Sequence, residues 1–287
     1  MAKSPELDRV IESYRVRAEA RLTAQRWCVD DDRASYERAT AEFPLDKDVK
    51  CDRISAGGVT AEWVCAPGAD VSRTLLYLHG GGYVIGSCRT HRAMMARMSA
   101  AAKVRVLALD YRLAPEHVFP APVEDSVAAY RWLLSTGADP RKIVVGGESA
   151  GGALVVSLFV ALRYLGEPLP AAGISISPWA DLEQSGDTMS SNAEVDPSVN
   201  RERLEWFAGC YLGGKDPRAP LASPIYADMT GLPPLLIMAG SVEVLVDDAR
   251  RLAANGEKSG VDTTLEIWED MPCTVISCPK PSSPSTG

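Results

Sequence analysis

The sequence predicts an α/β fold: a mostly parallel central sheet flanked by helices, with a helical cap. Three observations carry this. From Val49 onward, short β-like runs alternate with longer helical ones, the order expected of parallel strands joined by crossover helices. Several short runs (LLYL, VLAL, IVV, LLIMA) are continuously apolar, as strands buried on both faces must be. Two segments, the N-terminus and Asp181–Pro217, break the alternation.

Taken in order, residues 5–23 place Leu7, Val10, Ile11, Tyr14, Val16 and Ala20 at helical spacing and predict an amphipathic helix. The acidic stretch Asp30–Pro44 reads as a turn-rich connection to the body. Strands are expected at Val49–Ile54, Thr60–Cys65, Thr74–Leu78, Arg105–Leu109, Lys142–Val145, Gly173–Ile176, Leu235–Ala239 and Thr264–Trp268. Helices are expected at His91–Ala101, Val123–Ser135, Ala150–Leu165 and Asp247–Ser259. Asp181–Pro217 carries a helical patch around Leu204, Phe207 and Tyr211. Inserted between strands at the end of the sheet where ligands bind, it is expected to form a cap with the N-terminal segment. The expected division is residues 1–45 as the N-terminal part of the cap, 46–272 as the core with 181–217 as the cap insertion, and 273–287 as a disordered tail. No internal repeat is present.

A chain of 287 residues can bury one large core. Its net charge of -8 and pI near 5.1 argue against nucleic acid or an anionic membrane as partner. The opening MAKSPELDRV has no apolar signal-like core, and the longest apolar stretch, Ala153–Leu162, is too short to span a bilayer. The seven cysteines (Cys28, Cys51, Cys65, Cys88, Cys210, Cys273, Cys278) are scattered, odd in number and without metal-ligand spacing. These features predict a cytoplasmic protein with reduced thiols.

The chemistry centres on Gly147-Glu148-Ser149-Ala150-Gly151, a G-x-S-x-G pattern lying between a buried strand and a helix. That context is a nucleophile elbow: a tight turn flanked by small residues projects the Ser149 hydroxyl from the sheet edge. His79-Gly80-Gly81-Gly82 follows the strand LLYL. Consecutive glycines leave backbone N–H groups unshielded, as an oxyanion hole requires, and the N–H of Ala150 would complete it. A phosphate cradle is disfavoured because no Lys-Ser/Thr pair follows. His79 is expected to shape this loop. Glu243, beyond the strand LLIMA, fits the chain order nucleophile, acid, histidine, whereas Asp247 and Asp248 read as charges at a helix N-terminus.

HGGGY at His79–Tyr83, DYRLAPEH at Asp110–His117, GESAGG at Gly147–Gly152 and SPWADL at Ser177–Leu182 resemble the hormone-sensitive-lipase family of bacterial carboxylesterases. The likeness runs from about Ala61 to Pro272. It implies an α/β-hydrolase fold with a two-part cap, no metal or organic cofactor, and a monomer or homodimer that cleaves short-acyl esters. It carries Ser149 over as nucleophile, and the N–H groups of Gly81, Gly82 and Ala150 as the oxyanion hole. Glu243 stands where the family's acid motif more often has Asp.

The resemblance breaks at the catalytic histidine. After Trp268-Glu269-Asp270-Met271-Pro272 the expected position is Cys273, and the other histidines, His79, His91 and His117, all precede the nucleophile. CTVISCPKPSSPSTG also lacks the helical period of the family's closing helix. The loss predicts an impaired esterase; the competing expectation is a non-catalytic small-molecule binding protein on the same scaffold. A frameshift would remove histidine and helix together, since Cys-Thr encoded TGC-ACN contains the histidine codon CAC in another frame. Sequencing the gene is expected to show that one base change restores a His followed by a helical segment; if no such change does so, the frameshift is excluded.

Overall fold

A computed structural model describes Glu12, residues 27–41 and residues 43–272. Eight strands form one sheet: β1 (Lys50–Ala56), β2 (Val59–Cys65), β3 (Asp70–Leu78), β4 (Val104–Asp110), β5 (Ile143–Glu148), β6 (Ala172–Ile176), β7 (Leu235–Gly240) and β8 (Thr263–Trp268). Their spatial order is β1-β2-β4-β3-β5-β6-β7-β8. β2 pairs antiparallel with β1 and β4, and from β4 through β8 every pairing is parallel. All eight expected strands are present. β3 begins four residues before the expected start because its first four residues are exposed and give no apolar signal.

The helices among the described residues of at least four residues are α1 (Val29–Thr40), α2 (Cys88–Ala102), α3 (Ala121–Ser135), α4 (Ala150–Tyr164), α5 (Thr188–Ser191), α6 (Arg201–Leu212) and α7 (Val246–Lys258). α1 corrects the expected turn-rich connection at Asp30–Pro44. Asp30, Asp31 and Asp32 occupy its first turn, where they complement the helix dipole, so the acidic cluster starts a helix. α2 starts at a capping box in which Thr90 N–H donates to Ser87 Oγ (3.2 Å) and Ser87 N–H to Thr90 Oγ1 (2.9 Å). The helix expected at residues 5–23 and the tail 273–287 lie outside the described residues.

α4 is buried along Ala150–Leu162, which explains its apolar character on every face. It packs on β3, β5 and β6, with Phe159 pressed against Gly173, where a Cβ would sit 2.7 Å from the ring. The insertion supplies α5 and α6. α6 is joined to α1 by an ion pair between Arg203 and Asp32 (2.8 Å). Because β3 and β5–β8 run parallel, the segments after Leu78, Glu148, Ile176, Gly240 and Trp268 all emerge at one edge of the sheet.

Phe159→Ala, which empties the fully buried space between α4 and β6, is expected to destabilise the fold by about 3–5 kcal/mol in denaturant unfolding.

Candidate active site

The sharp turn between β5 and α4 places Ser149 at φ 54° and ψ -121°, a conformation that costs a non-glycine residue about 1–3 kcal/mol and persists only where its surroundings enforce it. The enforcement is visible. Ser149 N–H donates to Ile176 O (2.8 Å), and Ser149 O accepts from Trp179 N–H (3.0 Å) and Ala153 N–H (3.1 Å). Gly151 lies so close to the end of β3 that a Cβ would come 2.6 Å from His79 O.

The glycine loop begins against the elbow. Glu148, fully buried, accepts a hydrogen bond from Gly80 N–H at Oε1 (2.6 Å) and another from Tyr77 Oη. His91 Nε2 lies 2.7 Å from the same Oε1. Burial pushes the Glu148 carboxyl up to about 8 and the His91 imidazole down to about 3, which favours a neutral acid beside a neutral imidazole. His91 Nδ1 lies 2.8 Å from Thr90 Oγ1 and 3.2 Å from Ser87 O. Donation from Nδ1 to that carbonyl leaves Nε2 free to accept the Glu148 proton.

His79 shapes the loop, as expected. Its ring stacks on Tyr111 (4.2 Å between centroids), its Nδ1 lies 2.7 Å from Gly80 O, and burial lowers it to about 4. Beyond it the chain turns, with Val84 and Ile85 N–H donating to Gly81 O (3.1 and 2.9 Å). Among the described residues, no backbone carbonyl accepts the N–H groups of Gly81, Gly82 or Ala150.

Glu243 follows β7 and is buried. Its Oε1 accepts from Gly240 N–H (2.6 Å) and Ser177 Oγ (2.8 Å), while Oε2 is buried without a hydrogen-bond partner among the described residues. Burial, with Asp196 nearby, pushes this carboxyl up to about 8. The insertion holds the acid loop: Asn192 Nδ2 donates to Ser241 O (3.1 Å) and Glu243 O (2.8 Å), Asp196 Oδ2 accepts from Val244 N–H (2.9 Å), and Thr188 Oγ1 donates to Val244 O (2.9 Å). Met271 O accepts from Val242 N–H (3.4 Å), so the chain after β8 also runs beside Glu243. Cys273 lies outside the described residues.

The structure thus brings Ser149, Gly81, Gly82, Ala150 and Glu243 to one sheet edge. Asp247 sits in the first turn of α7, as expected. Asp248 lies in the same first turn, also as expected, and is buried there: it accepts from the N–H groups of Ala180 and Asp181 (2.9 Å each), and is pushed up to about 8 by burial and by Asp181. Glu148, His91, Thr188, Asn192 and Asp196 escaped sequence reading because their partners are distant in the chain. The one legible signal was an ionisable residue at the variable position of G-x-S-x-G, on a turn with no room for an unpaired charge. Among the described residues no three His, Cys, Asp or Glu side chains gather as metal ligands, and no helix is long and apolar enough to cross a membrane. The five described cysteines are free thiols.

Comparison with known proteins agrees with this fold. A family model described as the α/β hydrolase fold matches residues 75–276. An acetyl-hydrolase of Streptomyces hygroscopicus is 45% identical over 93% of this chain and 88% of its own length. An esterase of Acinetobacter venetianus is 32% identical over 80% and 76%. The crystal structure of an esterase from the bacterial hormone-sensitive lipase family superposes with a TM-score of 0.92 at 58% identity, covering 96% of this chain and 91% of that one.

The raised Glu148 carboxyl sets a pH dependence. The folded state keeps a proton that an ordinary glutamate (4.5) has released, so the stability it confers is complete below about 4.5 and is lost as pH rises to about 8. Glu243 and Asp248 act in the same sense. The lowered His79 and His91 oppose it only below their ordinary 6.5. Thermal stability should therefore fall from about pH 6.5 to about pH 8, and fall less in Glu148→Gln, which keeps the neutral shape. An equal fall in both proteins would show that Glu148 is ionised. Glu148→Ala, which strips the acceptor from Gly80 N–H, should cost about 1–3 kcal/mol at any pH.

Proposed function

The chain belongs to the α/β-hydrolase family, in its hormone-sensitive-lipase branch, and we propose that it is a short-acyl carboxylesterase working through Ser149, impaired at its general base. The observation that carries this reading is the strained elbow at Ser149, packed against the start of the glycine loop, with no backbone carbonyl among the described residues accepting the N–H groups of Gly81, Gly82 or Ala150.

In this mechanism Ser149 Oγ bonds to the ester carbonyl carbon as its proton passes to a base. The carbonyl oxygen becomes an oxyanion held by the three N–H groups, whose fixed orientation needs no rearrangement as charge develops. Collapse expels the alcohol, which takes up the proton, and leaves an acyl-Ser149 ester. Water then attacks that ester through the same oxyanion site and releases the acid. α1 and the insertion 181–217 act as a two-part cap over small ester substrates. Oε2 of Glu243, without a hydrogen-bond partner among the described residues, is suited to accept an imidazole N–H and so orient the base.

That imidazole is what the sequence lacks, because position 273 is cysteine. A thiol with an ordinary pKa of about 8.5 is mostly protonated at neutral pH and cannot stand in. Loss of one triad member leaves only about 10³–10⁴-fold acceleration over water, from the oxyanion hole and binding. Cys273 also motivates the second reading, a binding protein on an intact scaffold.

Hydrolysis of p-nitrophenyl acetate by the pure chain should run far below an ordinary esterase turnover of about 10 s⁻¹. Added imidazole should raise it beyond imidazole's own reaction with the ester, and Ser149→Ala should abolish that excess. Ordinary turnover without imidazole would overturn the impairment. No excess with imidazole, together with tight binding of an intact small molecule, would favour the binding protein.

A further inference from the structure

We propose that Phe207 and Tyr211, on α6 of the insertion, are positioning residues for the oxyanion loop, so that the insertion governs the chemical step as well as enclosing substrate. The inference rests on the reading of Ser149, Gly81 and Gly82 given above.

The two residues that end the glycine run, Gly82 and Tyr83, are both left-handed, at φ 61° and 63°. Glycine adopts this freely, whereas a tyrosine does so only where its surroundings hold it. The Tyr83 ring, fully buried, stacks on Tyr211 with 3.9 Å between centroids and 15° between planes. One residue earlier, the Phe207 ring occupies the space a Cβ of Gly82 would need, 2.6 Å from Cγ. α6 therefore rests directly on the loop's bare backbone.

The helix is itself anchored. Phe119 N–H donates to Tyr211 O (2.7 Å), and the Arg203–Asp32 pair ties α6 to α1. From α1, Arg33 donates to Val84 O and Ala114 O (2.9 Å each). The loop is thus gripped by Glu148 from the elbow side and by α6 and α1 from the other. Without the two rings, Gly82 and Tyr83 are free to relax, which swings the peptide planes that present the oxyanion N–H groups.

Phosphonylation of Ser149 by an alkyl fluorophosphonate in imidazole buffer, followed by intact-mass spectrometry, tests this. Ser149 Oγ bonds to phosphorus, fluoride leaves, imidazole takes the proton, and the phosphoryl oxygen occupies the oxyanion position. At saturating probe, Phe207→Ala and Tyr211→Leu should label about tenfold to hundredfold more slowly than the parent, less than the loss of a whole oxyanion donor, with half-saturation shifted less than about threefold. Tyr211→Phe, which keeps the stack, should label at the parental rate. An unchanged maximal rate with a raised half-saturation concentration overturns the proposal, because the insertion then only encloses the probe. If thermal unfolding shows Phe207→Ala to be unfolded, Phe207→Leu carries the same comparison. A parent not labelled at Ser149, or an equally labelled Ser149→Ala, overturns the nucleophile reading and the proposal with it.

Discussion

A Cβ on Gly151 would lie 2.6 Å from the carbonyl oxygen of His79, so the elbow after β5 and the loop after β3 touch through bare backbone. Much of the site follows from that contact. Backbone this close admits no water between the two segments, and every polar group at the seam needs a protein partner. Gly80 N–H finds Glu148, and Glu148 in turn finds Tyr77 and His91. An ionised carboxylate buried there would need a compensating charge; the neutral acid facing a neutral imidazole needs none. The chemistry of the variable residue in G-x-S-x-G is thus set by how tightly the turn must pack.

The acid side obeys the same rule with different material. The loop carrying Glu243 has little regular structure to satisfy its backbone, and the insertion supplies the missing partners through Thr188, Asn192 and Asp196. α6, from the same insertion, lies on Gly82 and Tyr83. A segment that interrupts the strand–helix alternation thereby becomes the frame for two loops emerging from different strands. Its polar composition, rich in Ser, Asp and Glu, suits that task, since the short polar side chains among them bond well to the backbone of irregular segments.

What the sequence disclosed and what it hid divide along contact distance. The strands were legible because runs such as LLYL and LLIMA report burial on both faces, a local property of the chain. Ser149 and the glycines were legible because an elbow and a bare loop need small residues at fixed spacing. α1 was misread because three aspartates favour both a turn and a helix N-terminus, and only its packing against the body, through Arg33 and the Asp32–Arg203 pair, decides between them. The place of Asp248 in the first turn of α7 was legible, but its burial was not, for a related reason. Its Oδ2 accepts from Ala180 and Asp181, far away in the chain, and periodicity within α7 cannot report that.

On the proposed mechanism, the cysteine at 273 removes more than a base. A catalytic carboxylate must be ionised to hold an imidazolium, and the low-dielectric setting of Glu243 opposes ionisation unless a donor answers Oε2. Two hydrogen bonds, from Gly240 and Ser177, are spent on Oε1 alone, and burial still pushes the carboxyl up to about 8. An N–H at Oε2 would supply the missing favourable contact with the charged form and draw the value down. A thiol, a weak donor without positive charge, does this poorly. Burial of Glu243 thus favours its protonated form, and on the proposed mechanism a histidine at 273 would supply both the base for Ser149 and the contact that ionises the group behind it.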